Sequence, residues 1–282
     1  MLQFSWVNRL LFGTAGIPLS TPHRTTSNGI RRVRELGLDC MEIEFVEGFY
    51  LKKPEAEEIG FIASDLGVTL SVHAPYYLNF NAHEIRKIRA SQGMLHKSIR
   101  LALLCRAKSV VFHPGFYLGA SSGETYNIIK KGVDEVISAL VDDEIGQVKL
   151  RPEVSGKKTQ FGSLDEILAL CREAPHLAPC IDFAHLHARS GSFNSYDEFA
   201  LVLDKVKGAL GPDALDNMHI HISGIRYGKG GETSHLALSE SDFKYEQLLK
   251  VLKDLNVRGS IISESPNNDE DALILQKTSS SL

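Results

Sequence analysis

The 282-residue chain carries four cysteines, at positions 40, 105, 171 and 180, with no CxxC pair among them. That scarcity argues against a disulfide framework or a cysteine-built zinc site, and Cys40 and Cys180 inside apolar runs fit reduced core thiols. No apolar run approaches the roughly 20 residues of a membrane span. The N-terminal MLQFSWVNRLLFG has neither a basic leader nor a long apolar region. A soluble, cytoplasmic protein without a membrane partner is expected. Positive charge is not in excess either: 31 Lys and Arg stand against 35 Asp and Glu, for a net −4 and a pI near 6.3. An average surface of that sign is no magnet for nucleic acid, although bound cations or a local basic patch would alter the balance. No Gly/Ser-rich stretch, low-complexity block or break in composition marks a linker, so residues 1–282 are expected to form a single domain acting as a monomer.

What the chain does have is an alternation. Eight short apolar segments recur: LLFGTAG, CMEIEFV, VTLSVHAPY, AKSVVFHPG, QVKLRPEVSG, LAPCIDFAH, NMHIHISG and RGSIISESP. Stretches of helical spacing separate them, which predicts an α/β fold, the (β/α)8 TIM barrel of about 250 residues, with all eight strand ends on one face. Helices are expected over 24–37, starting at Thr26 or Ser27 and stopping at Gly37, and over 53–66, 84–107, 124–142, 163–173, 195–208 and 242–255. Ser163 with Glu166, and Ser195 with Glu198, have the spacing of capping boxes. Pro152 cannot donate to a ladder and so belongs near the end of the fifth strand. The segment 224–241 is too long for an ordinary connection, and a functional loop over the top face is expected there, turned at Gly228, Gly230 and Gly231. Past Pro266 a short helix through Ala272 and Leu275 is expected, with the tail fraying from about residue 278.

Six segments run into a histidine or an acid at their C-terminal ends: His73, His113, Glu153, Asp182, His221 and Glu264. Either histidine alone, in SVHAPY or VFHPG, would be an ordinary strand cap. Six such groups at equivalent ends point instead to one ring of ligands, and imidazole with carboxylate suits Zn²⁺, Mn²⁺ or Fe²⁺. Acids crowded into one pocket need neutralising charge, and more than one divalent cation supplies it while generating a hydroxide able to attack phosphorus. In CIDFAH, Asp182 and His185 both reach the centre if the backbone turns there, whereas His187 fits a supporting or exposed position. His219 and His221 share a strand face; His221 lies nearer the top, and His219 suits a deeper layer that orients a ligand. His235 sits in the glycine-rich segment, placed to close over a further cation.

These motifs carry a resemblance over nearly the whole chain: HAPYYLN at 73–79, FHPG at 112–115, PEVSG at 152–156, QFG at 160–162, CIDFAH at 180–185, HISG at 221–224, GETSHL at 231–236 and SESP at 263–266. The chain resembles the endonuclease IV family of apurinic/apyrimidinic endonucleases, within the xylose-isomerase-like barrels. The resemblance implies a metal-dependent endonuclease that cleaves the phosphodiester 5′ to abasic sites in double-stranded DNA, with two or three Zn²⁺ per chain and Mn²⁺ or Mg²⁺ as substitutes. It implies that His73 and His113 hold a first ion, that Glu153 bridges first and second, and that Asp182, His221 and Glu264 complete the second. His185 and His235 match ligands of a third. Glu153 and Glu264 are the acids expected at the reacting centre. The family's remaining third-ion ligand is an Asp two residues before the loop histidine, where this chain has Thr233; Glu232 is the compensating candidate. Tyr76 matches the aromatic that helps open the duplex, and Lys157 and Lys158 offer phosphate contacts, whereas EFVEGFYLKK after the second strand lacks the family's basic pattern. The alternative is a sugar isomerase or epimerase holding one Mn²⁺, Mg²⁺ or Zn²⁺ between Glu153, Asp182, His221 and Glu264.

Overall fold

A computed structural model describes residues 8–140 and 146–282. The N-terminal stretch through residue 7, and positions 141–142 of the fourth expected helix, lie outside the described residues. The strands are β1 (Leu10–Ala15), β2 (Cys40–Glu44), β3 (Thr69–His73), β4 (Ser109–Phe112), β5 (Lys149–Pro152), β6 (Cys180–Asp182), β7 (Met218–Ile222), β8 (Gly224–Gly228), β9 (Gly231–Leu236) and β10 (Gly259–Ser263). Eight of them form one parallel sheet in the order β5-β4-β3-β2-β1-β10-β7-β6. The sheet curls until its edges meet, giving a single-domain (β/α)8 barrel.

The closing seam lies between β5 and β6, which join through two bridges, Leu150 with Leu177 and Glu153 with Cys180. Pro152 accounts for the sparse pairing. The Leu150 N–H donates to His176 O and the Val154 N–H to Cys180 O. The position between them that faces β6 is Pro152, which has no N–H to give.

Around the barrel run α1 (Thr26–Glu35), α2 (Lys53–Leu66), α3 (Ile85–Leu104), α4 (Ser122–Ser138), α5 (Leu164–Glu173), α6 (Phe183–Ser190), α7 (Tyr196–Leu210), α8 (Tyr245–Asp254) and α9 (Asn268–Ser281). Ile30 and Val33, Leu95 and Ile99, Ile129 and Val133, and Phe199 and Val202 are all buried on the helix faces toward the sheet. Each such side chain stabilises the layer by about 1.5–3 kcal/mol, which fixes the strand face that turns outward and leaves the chemistry-bearing residues inside. Gly13 of β1 is needed where it stands, because a Cβ there would come 1.8 Å from Cys40 O of the adjacent β2.

The helix α1 starts at Thr26, as expected, behind an N-cap at Thr25 whose hydroxyl accepts from the Asn28 N–H at 3.2 Å. Other local expectations are corrected. The Ser163 box is complete, whereas the Ser195 hydroxyl donates to Glu198 Oε2 at 2.6 Å instead of capping α7. Residues 224–236 are not an irregular loop but the antiparallel hairpin of β8 and β9, turning at Lys229 and Gly230. Pairing in the hairpin satisfies backbone groups that an open loop would leave to water. The C-terminal end does not fray at residue 278: α9 continues to Ser281, with the Ser280 hydroxyl donating to Gln276 O and the Gln276 amide to Gly37 O.

Candidate metal centre

Parallel strands put their C-terminal ends on one face, and there His73 of β3, Asp182 of β6 and His221 of β7 meet His113, Glu153 and Glu264, which directly follow β4, β5 and β10. The carboxylate of Glu153, wholly buried, is the hub. Its Oε2 lies 3.0 Å from His73 Nε2 and 3.3 Å from His113 Nε2. Its Oε1 lies 3.3 Å from both His221 Nδ1 and His185 Nδ1. Five groups among the described residues place one ligand-type atom per residue within 4.8 Å of the others; three gather the strand-end and hairpin residues (His73, His113 and Glu153; Glu153, Asp182, His221 and Glu264; and His185, Glu232 and His235), and two reach deeper (Glu42, His73 and Glu264; and Cys180, His219 and His221). Ligands at about 2.1 Å from a common tetrahedral ion stand about 3.4 Å apart, so these separations are of coordination size.

Side-chain orientation is set by backbone. His73 Nδ1 donates to Ala74 O at 2.8 Å, His185 Nδ1 to Val154 O at 3.0 Å and His235 Nδ1 to Glu264 O at 3.1 Å. A carbonyl accepts only, so Nδ1 carries a proton, and Nε2 turns inward, where its lone pair is free to bind once any second proton is displaced. Inside, His185 Nε2 faces His235 Nε2 at 3.2 Å and Glu232 Oε2 at 3.4 Å. Three lone-pair atoms so close repel unless a cation or a proton lies among them. Asp182 Oδ2 and Glu264 Oε2 are buried with no hydrogen-bond partner, although Asp182 Oδ1 accepts from the His185 N–H at 2.6 Å. Oxygen and imidazole donors of this kind, buried and partly orphaned, fit divalent cations such as Zn²⁺ or Mn²⁺.

Asp182 is also the N-cap of α6, a helix absent from the sequence expectation of a strand running into a loop. That turn carries His185 back over the centre. The hairpin then brings Glu232 and His235 opposite it, while Thr233 turns away and donates to Arg226 O at 2.9 Å. Lys157 and Lys158 are exposed on the loop after β5, whose backbone is pinned to the hairpin tip by the Lys158 N–H donating to Gly230 O at 3.0 Å. Tyr76 is 56% exposed and stacks edge-on with Tyr77 at 5.5 Å.

Two acids escaped the reading of the sequence. Glu42 of β2 is buried inside the barrel and bonded to His219 Nε2 at 2.9 Å, and Glu44 at the end of the same strand is half-buried. The available signal was their spacing of two in an otherwise apolar strand, CMEIE, which gives them one shared face. His187 is buried and lies 3.2 Å from Asp242, away from the ring of ligands.

The electrostatics follow from this crowding. Burial opposes charge on His73, but Glu153, Glu44 and Glu42 override it and push its pKa to about 10. Burial prevails at His113, lowered to about 4, and at Glu44, raised to about 8 with Glu42 and Glu264 adding to it. Burial likewise opposes charge on His185 and His221, yet Asp182 and Glu153 for the former, and Cys180 and Glu264 for the latter, carry both well above 6.5. Without metal, therefore, the folded state binds more protons than the unfolded chain above pH 6.5 at His73, Glu44, His185 and His221. By linkage the metal-free protein is expected to lose stability from pH 6.5 toward 10, the His73 share fully present below 6.5 and gone above about 10. Metal must displace these protons, so zinc affinity is expected to rise over the same interval, about tenfold per pH unit for each proton released. Melting of EDTA-stripped and zinc-loaded protein at pH 6.5 and 9.5, with chelator competition, checks both signs.

Comparison with known proteins agrees with this architecture. An uncharacterized protein of Methanocaldococcus jannaschii is 44% identical over 269 residues, 95% of this chain and 96% of its own. A probable endonuclease 4 of Staphylococcus epidermidis is 30% identical over 157 residues, 54% of this chain and 51% of its own, so the match spans about half of each. Among solved structures, a D-tagatose 3-epimerase-like protein superposes with a TM-score of 0.73 at 18% identity, covering 95% of this chain and 96% of that one. Endonuclease IV from Thermus thermophilus gives 0.72 at 21%, covering 95% and 100%. At those identities the structural likeness is one of fold. The match of a family model over residues 30–280 goes further: this chain belongs to the xylose isomerase-like TIM barrel family.

Proposed function

We propose that the chain is a metal-dependent phosphodiesterase that incises double-stranded DNA on the 5′ side of abasic sites. The observation that carries this is the sharing of Glu153 between two ligand groups, beside a third built on His185, Glu232 and His235. A single-ion isomerase needs Glu153, Asp182, His221 and Glu264 alone and leaves five further ligand-type side chains without a task. Divalent ions bound there supply Lewis-acid neutralisation of a phosphate and lower the pKa of water. The chain's own residues do the rest. Glu153 holds two groups in register, and Glu264 keeps an unpartnered oxygen at the centre. Glu232 takes the place of an Asp in the third group. Tyr76 offers an exposed ring to unstacked duplex, and Lys157 and Lys158 offer charge to phosphate. The partial likeness to a probable endonuclease 4 supports the same reading.

The sugar epimerase reading draws on the four-residue group itself and on the epimerase-like structural neighbour. Counting metals after purification without chelator, followed by a gel assay on abasic and intact duplexes, separates the two. Two or three Zn²⁺ per chain are expected, with incision of the abasic strand to a 3′-hydroxyl, weaker at high salt and abolished by EDTA. The intact duplex should react far less, because a missing base lowers the energy of opening the stack. One Mn²⁺ or Mg²⁺ per chain, an untouched abasic strand and interconversion of ketoses would replace the nuclease reading with the epimerase one.

A further inference from the structure

His221 lacks the backbone acceptor that fixes the proton of His73, His185 and His235; the same is true of His113, whose Nδ1 faces Ser155 Oγ at 3.5 Å. The Nδ1 of His221 faces Glu153 Oε1 and Glu264 Oε1, each at 3.3 Å, while its Nε2 lies 2.9 Å from Glu42 Oε1. The other oxygen of the same carboxylate, Oε2, accepts from His219 Nε2 at 2.9 Å. All three side chains are buried, and His221 Nε2 and Glu42 Oε1 make no aligned hydrogen bond, so theirs is a close contact that a small rotation of either group would align, with the Cys180 thiol as a further neighbour of His221. Two lone pairs 2.9 Å apart in a dry interior would repel, so a proton belongs between them. Glu42 reaches this point from β2 across the barrel interior, with β1 and β10 lying between β2 and β7 in the sheet.

We propose that Glu42 is a positioning residue for the metal centre. One carboxylate spans two imidazoles, accepts from both, and so holds His221 as the Nε2–H tautomer with its Nδ1 lone pair turned to Glu153 and Glu264. His219 completes the bracket by occupying the second oxygen and fixing the carboxylate's rotation. Three ligand histidines are locked by carbonyls; His221 is locked by an acid from across the barrel. The proposal rests on the metal-centre part of the functional reading and is independent of what the substrate is.

The test begins with the unmutated chain. Imidazole ¹⁵N shifts of the zinc-loaded protein are expected to show His221 protonated on Nε2 and metal-bound through Nδ1. A proton on Nδ1, or zinc on Nε2, overturns the proposal without any variant. The variant Glu42→Gln is nearly isosteric, yet its amide accepts on one side and donates on the other, so it cannot accept from His219 and His221 together. In Glu42→Gln one of these two rings is expected to change tautomer, with zinc affinity at the His221 position lowered about 10–100-fold by chelator competition. Unchanged tautomers together with unchanged zinc affinity would show that Glu42 only fills space. If the wild-type tautomer is as proposed but abasic DNA stays intact, the substrate reading fails and the Glu42 assignment stands.

Discussion

Glu153→Gln is expected to leave a folded barrel that holds less metal and turns over abasic DNA about 10³-fold more slowly, the scale of losing one electrostatic element at a reacting centre. The reasoning is geometric. Both Glu153 oxygens are engaged, Oε2 toward His73 and His113 and Oε1 toward His185 and His221, so among the described carboxylates none touches as many candidate ligands. An amide of the same shape keeps the packing but replaces one acceptor oxygen with an NH₂, which cannot bind a cation and points a donor at imidazoles that present lone pairs. The fold is held elsewhere, by the helix faces packed around the sheet. Circular dichroism should therefore be unchanged while atomic absorption reports the loss of zinc. Wild-type zinc content and rate in Glu153→Gln would remove the residue from the centre altogether.

Much of the barrel was legible because its strands are short apolar runs that end in a change of chemistry. His73 before Ala-Pro and His113 before Pro announce the mouth of the barrel twice, and the spacing of the eight runs gives the topology. What remained hidden had a physical reason in each case. Glu42 and Glu44 alternate with Met41 and Ile43, a pattern that in an open sheet means one wet face; only closure into a barrel turns that face into the interior. The hairpin was hidden because Gly228, Gly230 and Gly231 read as turns, and nothing local announces that Gly224–Gly228 will pair with Gly231–Leu236. The helix α6 begins on the same Asp182 that reads as a ligand, and a residue serving as both cap and candidate ligand conceals one role behind the other. Thr233 was visible as a departure from the family pattern. That Glu232 takes the inward place, however, depends on the hairpin register.

Gly156 is where that register can be tested. A Cβ at this position would stand 2.7 Å from Glu232 Cβ, 2.8 Å from Glu232 Oε2 and 2.9 Å from His185 Cδ2, all closer than real Cβ contacts allow. The Glu232 N–H also donates to Gly156 O at 3.1 Å, so hairpin and loop cannot simply slide apart. Gly156→Ala must then push Glu232 and His185 away from His235, opening the third group while leaving His73, His113 and the Glu153, Asp182, His221 and Glu264 group in place. The expected result is the loss of one zinc per chain from a protein that still holds the others, with affinity at the third position reduced about 10–100-fold, as when a metal ligand's surroundings are disturbed. Overpacking of this kind costs about 1–3 kcal/mol, small enough for the barrel to survive and for metal counting to be read on folded protein. Incision of abasic DNA should fall with the lost ion if three ions act together. If Gly156→Ala keeps full zinc content and full activity, Glu232 is not part of the centre, and the third group reduces to two histidines that happen to meet.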